Sequence, residues 1–455
     1  MSSGSKADFG LYTDDDPLYY NTRLEFTIPP PSVKTVPRNG GHINMGAVDN
    51  RYGLPRDGGV GQPSPSTSRN ILSNGIDIDV KGADFIVLRR AESTSLPNLY
   101  DSSGYNTLFS INQQTKLSNI TRISEDLCDV KIAQAITDAK NKQRHIPEKI
   151  ILRAKAAANP FDNVCLGAFT NRSSVELGCV DHLFRFSSLS QSPNKELKFV
   201  DAGGEMGGAS EYALWRSRTK HTTGAGWVIG RYTRPLQAKN HPLIERDIER
   251  LKLFNSQVKK DPEFAGDFTA LQDIRDFSKL VSKETRNANG VDVVFATGVQ
   301  QNTSRIHANR ISGELRPHYQ NLCQILLLIR TLRPGGDFVF KMANTTTILS
   351  AQAIYILHLL FEKLAIVKPL ASYPSSSERY AICHEYKGIP SAEVVEAIES
   401  ILSDIVDGKQ IPGFINWDVV CQDDHFMKYI NCVNAKYDAK QLDALNAILR
   451  HANNP

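Results

Sequence analysis

The stretch Val200-Asp-Ala-Gly-Gly-Glu-Met-Gly-Gly-Ala-Ser-Glu-Tyr-Ala-Leu-Trp-Arg216 has the residue types of a ligand-holding turn. A short apolar strand ends at Asp201, a turn follows with Gly203, Gly204, Gly207 and Gly208, and a helix begins near Ser210. Glycines in such a turn allow positive φ and let the backbone come close to a ligand. No Gly-Lys-Ser/Thr follows, so this is not the phosphate loop of nucleotide hydrolases, and the strict GxGxxG spacing is also absent. Metal chemistry has no support: the seven cysteines include no CxxC, and no two histidines stand four residues apart.

Alternating strands and helices must position these residues. Leu197–Val200, Gly226–Gly230, Val291–Ala296 and Asp337–Lys341 read as strands, and Tyr380–Cys383 as a late one. Leu322–Leu332 and Leu349–Leu364 read as helices. This rhythm predicts an α/β fold with a mainly parallel, doubly wound sheet and helices on both faces. Ligands of such sheets sit at the carboxyl ends of the strands, so Asp201, Thr297 and Lys341 should face one crevice. Three regions are expected: a Pro/Gly-rich arm over 1–115 with little helical periodicity before Leu117, the α/β domain over 116–390, and a helical extension over 391–455 broken at Pro412–Trp417. A strand-like run at Asp84–Leu88 interrupts the arm. Between Ile120 and Lys155 the pattern is helical and basic, with Lys140, Lys142, Arg144, His145, Lys149, Arg153 and Lys155. Such a run is either a solvated helix face or a phosphate-binding edge.

Composition bounds the possibilities. The 455 residues are 41% hydrophobic and 22% charged, which excludes a wholly disordered or fibrous chain. With 53 basic against 49 acidic residues the net charge is +4, which excludes a polybasic coat and leaves room for a local basic groove. The start has no hydrophobic leader, and the runs Ile325–Ile329 and Ile354–Phe361 are too short to span a bilayer, so no membrane association is expected. Sparse cysteine points to a reducing compartment, nucleus or cytoplasm.

The glycine-rich segment resembles the S-adenosyl-L-methionine (AdoMet) motif of FtsJ/RrmJ-type ribose 2′-O-methyltransferases, and within them the cap-specific mRNA enzymes. Further stretches resemble the family's motifs in the same order: Asn159-Pro-Phe-Asp162, Thr170-Asn-Arg172, Gly266-Asp-Phe-Thr269, Val294-Phe-Ala-Thr-Gly298, Cys323-Gln324 with Gly335-Gly-Asp-Phe-Val-Phe-Lys341, and Lys368-Pro through Ser377-Glu-Arg-Tyr380. The resemblance implies a Rossmann-like methyltransferase fold over roughly 155–385 and capped RNA as partner. It also implies an AdoMet site formed by Asp201, Gly203, Gly204, Gly207, Gly208, Ser210, Glu211 and Asp267. The family's active site is a Lys-Asp-Lys-Glu tetrad. Lys341 and Glu378 match its last two members, while Glu176 stands where the first lysine belongs and Thr297 where the aspartate belongs.

These replacements have a physical consequence. A general-base lysine must be neutral near pH 7, and a second cation nearby helps. Two carboxylates beside Lys341 favour its charged form instead. Glu205 adds negative charge where the methionine carboxylate of AdoMet would sit, which weakens the cofactor site. Two readings follow. One is a degenerate methyltransferase domain, AdoMet binding weakened or lost, that serves as an RNA-binding or structural subunit of a capping or RNA-processing assembly, with protein partners on residues 1–115. The other is an active cap methyltransferase with an altered tetrad, drawing a cation from Lys155 or Arg172. Arg216, Arg218 and Lys220 are candidates for RNA phosphates, and Phe161, Trp227 and Tyr373 for stacking on a cap base.

Overall fold

A computed structural model describes residues 78–79, 87–89, 96–110, 117–159, 169, 171–186, 196–203, 207–219, 223–230, 247–254, 266–285, 289–298 and 311–453. Most of the Pro/Gly-rich arm lies outside these residues, as do most of the Asp84–Leu88 run, Phe161, Gly204, Glu205, Met206 and Lys220.

Nine strands form one mixed sheet: β1 (Ile78–Asp79), β2 (Val87–Arg89), β3 (Glu196–Ala202), β4 (Thr223–Ile229), β5 (Leu251–Leu253), β6 (Val291–Ala296), β7 (Leu332–Met342), β8 (Phe361–Val367) and β9 (Arg379–Tyr386). Their order is β1-β2-β8-β9-β7-β6-β3-β4-β5. The run β7-β6-β3-β4-β5 is parallel, and β9, β8, β2 and β1 add an antiparallel edge. The parallel strands are nearly continuous apolar runs, as strands buried on both faces must be.

Helices cover both faces. On one, α5 (Arg172–Phe184) and α6 (Gly208–Thr219) pack Leu177, Val180, Tyr212 and Ala213 against Phe199 and Phe295. On the other lie α7 (Leu271–Glu284), α8 (Arg316–Thr331), α9 (Ile348–Leu360), α10 (Ala392–Val406), α11 (Trp417–Gln422) and the thirty-residue α12 (Asp424–Asn453). The apolar runs in α8 and α9 are buried all round because further helices stack over them. α9 stops at Leu360, four residues earlier than the apolar pattern predicts, and the chain enters β8 directly. Among the described residues, no helix is long and apolar enough to cross a membrane.

The stretch before Leu117 is more structured than its composition suggests. Helix α1 (Ser102–Phe109) starts at Asp101, whose carboxylate accepts from the Gly104 amide at 2.8 Å. Short helix α2 (Leu117–Thr121) then leads into α3 (Val130–Arg144) and α4 (Glu148–Ala158), the predicted basic helical region.

Helix α12 ties the molecule together. Its first half buries Phe426, Tyr429, Ile430, Val433 and Tyr437 against the core. Where pairing with β2 ends, the Tyr429 hydroxyl accepts from the Ile366 amide at 2.8 Å and Tyr437 donates to the Ile366 carbonyl at 3.2 Å. Its second half carries Leu445, which packs on Ile136 and Ala139 of α3, and Ile448 and Ala452, which pack on Ala154 of α4. Between these halves, Asp438 and Asn434 hold the guanidinium of Arg379, which is 1% exposed at the start of β9. Breaking a buried ion pair on one side leaves an uncompensated charge. Asp438→Leu is therefore expected to cost about 3–5 kcal/mol in urea unfolding, and Arg379→Met/Asp438→Leu to recover most of it.

Candidate functional site

Parallel register brings the strand-end residues together. Asp201 pairs with Phe295 and Ala296 with Phe340, so Asp201 on β3, Thr297 just past β6 and Lys341 near the end of β7 lie on three adjacent strands. Antiparallel β9 sets Tyr380 directly across from Lys341 and places Glu378 one step beyond the strand start. Cross-strand partners share a face, and α5 delivers Glu176 to that face.

The outcome is an ionic knot. Lys341 Nζ lies 3.1 Å from Glu176 Oε2 and 3.3 Å from Glu378 Oε2. The Tyr380 hydroxyl donates to the same Glu176 oxygen at 2.6 Å. Burial alone would pull the Lys341 pKa down, but Glu176, and after it Glu378, outweigh this and hold it above the ordinary value. Tyr380, with burial and Glu176 acting together, is pushed well above its ordinary pKa and stays protonated. With two carboxylates and one ammonium the knot carries one negative charge, where the family's tetrad has two of each sign. Thr297, one residue past β6, is buried and supplies no charge.

The glycine-rich turn is partly a packing device. Gly203 has φ +82°, and a Cβ there would fall 2.8 Å from the Gly298 Cα. The turns after β3 and β6 therefore touch backbone to backbone, and neither tolerates a side chain. The ring of Phe268 sits 3.1 Å from that same Gly203 Cβ position, which brings the Asp267 segment to the crevice. At Gly208 a Cβ would meet the Ser173 side chain at 2.9 Å, so this glycine serves helix packing.

Asp201 is the polar centre of the turn. One carboxylate oxygen accepts from the Ser210 amide at 3.0 Å and from its hydroxyl at 2.7 Å, which pins the start of α6. The other oxygen, Oδ1, is buried and has no hydrogen-bond partner among the described residues. Burial pushes the Asp201 pKa up to about 6 against the two Ser210 bonds. A buried acceptor left open at the carboxyl end of a central strand suits a cationic amino group. That fits the amino-acid end of AdoMet, with the α6 N-terminus available to its carboxylate. Buried Glu211 accepts from Ser174 at 2.6 Å and joins α6 to α5. Asp267 accepts from the Thr269 amide at 2.9 Å and hydroxyl at 2.5 Å, so one of its oxygens closes its own turn.

Several sequence candidates serve other purposes. Arg216 pairs with Asp181 at 3.0 Å and Arg218 with Asp247, so both are bound to protein carboxylates rather than presented to phosphates. Trp227 is 2% exposed and its indole donates to Glu284 at 2.6 Å, which removes it as a stacking platform. Tyr373 is exposed and stands under the Arg172 guanidinium, 4.1 Å from the ring centroid. Arg172 also donates to the Ala371 carbonyl at 2.8 Å and is thereby held to the 371–373 loop rather than placed in the knot. Lys155 lies in the last turn of α4. Among the described residues, no cluster of three or more His, Cys, Asp or Glu is placed to hold a metal ion.

Two contributors were not singled out by the sequence. Tyr380 was readable in principle, since it stands two positions after Glu378 in a strand. Lys368 opens the same family-like segment, and nothing local in the sequence shows what it binds. Its Nζ donates to the carbonyls of Ser376 at 2.8 Å and Glu378 at 2.9 Å, which clamps the loop that delivers Glu378. Desolvation, with nearby Arg379 adding to it, lowers its pKa to about 7.

Residues 169–386 match the model of the FtsJ-like methyltransferase family. The chain is similar to the cap-specific mRNA (nucleoside-2′-O-)-methyltransferase 1 of Drosophila melanogaster, at 25% identity over 72% of this chain and 42% of that protein. The mouse protein of the same name is 26% identical over 71% of this chain and 39% of its own length. The chain thus spans about two-fifths of these relatives. Human methyltransferase-like protein 13, solved in complex with SAH, overlaps 52% of this chain and 91% of its own at 13% identity, with a TM-score of 0.29.

Lys368 makes stability depend on pH in a defined direction. Its folded pKa, about 7, lies below the ordinary 10.5, so between these values the unfolded chain binds more protons than the folded one. Stability should therefore rise with pH across that window, by up to about 1.4 kcal/mol per pH unit from this group. Lys341, raised above 10.5, adds nothing within it. Urea midpoints from pH 7 upward should show a smaller rise in Lys368→Met than in the parent; equal slopes contradict the assignment.

Proposed function

We propose that this chain, which carries an FtsJ-like methyltransferase domain over residues 169–386, binds capped RNA with a methyl-transfer centre that is strongly impaired, and acts as an RNA-binding or structural subunit of a capping or RNA-processing assembly in the nucleus or cytoplasm. The observation that carries this reading is Lys341 held between Glu176 and Glu378.

AdoMet, if held by Asp201 and the glycine-rich turn, would supply an electrophilic methyl group. The residues of the chain must then do the rest: orient a ribose 2′-hydroxyl and take its proton. A lysine kept as ammonium by two carboxylates has no lone pair to take it. Glu176 already accepts from both Lys341 and Tyr380 through one oxygen. The position where the family has its aspartate, Thr297, brings no charge to hold a second cation. Positioned acid–base groups typically contribute about 10²–10⁴ in rate, and the replacements at 176 and 297 remove that contribution. The capped RNA in this reading comes from the cap-specific activity in the names of the similar proteins.

A second reading, an active enzyme with an altered tetrad, draws on the open Oδ1 of Asp201. The two are separated by measuring AdoMet affinity calorimetrically and methyl transfer to capped RNA radiometrically on the same preparation. RNA binding with transfer at least about 10²-fold slower than that of a family enzyme is expected. Glu176→Lys/Thr297→Asp, which restores the tetrad's charges, should raise transfer from that level. Transfer by the parent at a rate like that of a family enzyme, or no binding of capped RNA, overturns the proposal.

A further inference from the structure

Among the described residues, a concentration of uncompensated charge lies outside the crevice. Residues 140–155 contain six basic side chains, Lys140, Lys142, Arg144, Lys149, Arg153 and Lys155, against Glu148 alone. That surplus of five (six minus one) exceeds the net charge of the whole chain, +4. The fold determines where it points. Ile136 and Ala139 of α3 and Ala154 of α4 are turned inward onto Leu445, Ile448 and Ala452 of α12. Lys142, Arg144, Lys149 and Arg153 consequently project outward and are exposed, with His145 between the helices.

A solvated helix face ordinarily alternates its charges so that they pair at i and i+4. This face does not. Among the described residues, none of Lys142, Arg144, Lys149 and Arg153 forms a salt bridge. Asp138, four residues before Lys142, accepts from Gln134 at 2.9 Å, and Arg144 donates to neutral Asn141 at 3.2 Å. The neighbouring end of α12 contributes exposed Arg450 and His451 and a single exposed carboxylate, Asp443.

The face is joined to the crevice through α12. Gln441 donates to the Ser375 carbonyl, in the loop that delivers Glu378, at 2.9 Å. Four residues further along α12, the Leu445 carbonyl accepts from Gln143 of α3 at 3.3 Å. At about 1.5 Å per residue these two contacts are ~6 Å apart along the helix axis. The Glu378 loop and the basic face are therefore mounted on one rigid helix within reach of a short polymer.

We propose that the exposed face of α3 and α4 is a track for the phosphate backbone of single-stranded RNA running past the Glu378 crevice. It deepens the RNA-binding reading above and rests on it. Phosphate contacts are dominated by charge and need no apolar surface. A protein partner would call for a contiguous apolar patch, and Leu152 is the single exposed large hydrophobic residue between Lys142 and Arg153.

The test is a salt titration of binding by the full chain to a short, fluorescently labelled, capped single-stranded RNA, read by anisotropy. For single strands the slope of log K against log salt is about −0.7 per phosphate contact, so Lys142→Ala/Arg144→Ala/Lys149→Ala/Arg153→Ala should weaken binding and flatten the slope by about 3. The exchanges Lys142→Arg/Arg144→Lys/Lys149→Arg/Arg153→Lys, which keep the charge, should retain parent slope and affinity. A parent that binds capped RNA with a slope unchanged in the alanine variant overturns the track and leaves the RNA-binding reading standing. A parent that binds no capped RNA overturns both. Binding of polyglutamate as tight as RNA, with equal loss in the alanine variant, would reassign the face to an acidic protein.

Discussion

A lysine ammonium carried to the end of a buried strand has to be neutralised where it stands, and Lys341 is the point from which the rest of the site follows. Its side chain is 8% exposed, so water cannot carry the charge. Glu176 comes from α5 on one face of the sheet, and Glu378 from the turn before β9. Both carboxylates reach the same ammonium, Glu176 at 3.1 Å and Glu378 at 3.3 Å. On the function proposed above, these ion pairs work against proton abstraction by Lys341. A base must exist in its neutral form, and the two carboxylates on Lys341 stabilise the charged one against the opposing effect of burial.

Holding Glu378 in place is a long-range task. Next to it in sequence, Arg379 is buried with its charge, and the compensating Asp438 comes from α12, fifty-nine residues later (438 minus 379). Lys368 clamps the same loop from the other side. A buried ion pair and the Lys368 amino group thus anchor the segment that supplies Glu378. The C-terminal helix is consequently part of the site's architecture, although none of its residues lies in the knot.

How far this was legible in the sequence follows from which signals are local. The ends of β3, β6 and β7 could be read because β-branched and aromatic runs terminate at Asp201, Thr297 and Lys341, and the parallel rhythm sends such ends to one crevice. The end of α9 could not: no glycine or proline separates Leu360 from Phe361, and apolar periodicity gives no stop signal without one. Helix α1 escaped notice because it is short and polar, burying only Gly104 and Leu108. Arg216, Arg218 and Trp227 looked available because their partners, Asp181, Asp247 and Glu284, are remote in sequence and leave no local mark. Arg379 and Asp438 were invisible as a pair for the same reason.

The charges of the knot and of the basic face bear on each other. A crevice that holds two carboxylates against one ammonium offers an approaching phosphate chain no net attraction, and the neutral Thr297 does not alter that balance. If the domain binds RNA, its affinity must come from elsewhere on the surface. The strongest source among the described residues is the outward face of α3 and α4, where cations stand without acidic partners. On this reading the proposed catalytic residues and the binding surface lie apart: the knot occupies the crevice, while the electrostatic work of holding a polyanion falls to α3 and α4. The helix that joins them, α12, must then be rigid for the two to act on one strand. The buried Arg379–Asp438 pair in its middle supplies that rigidity, because a helix pinned there by an ion pair cannot slide without exposing both charges to an apolar core.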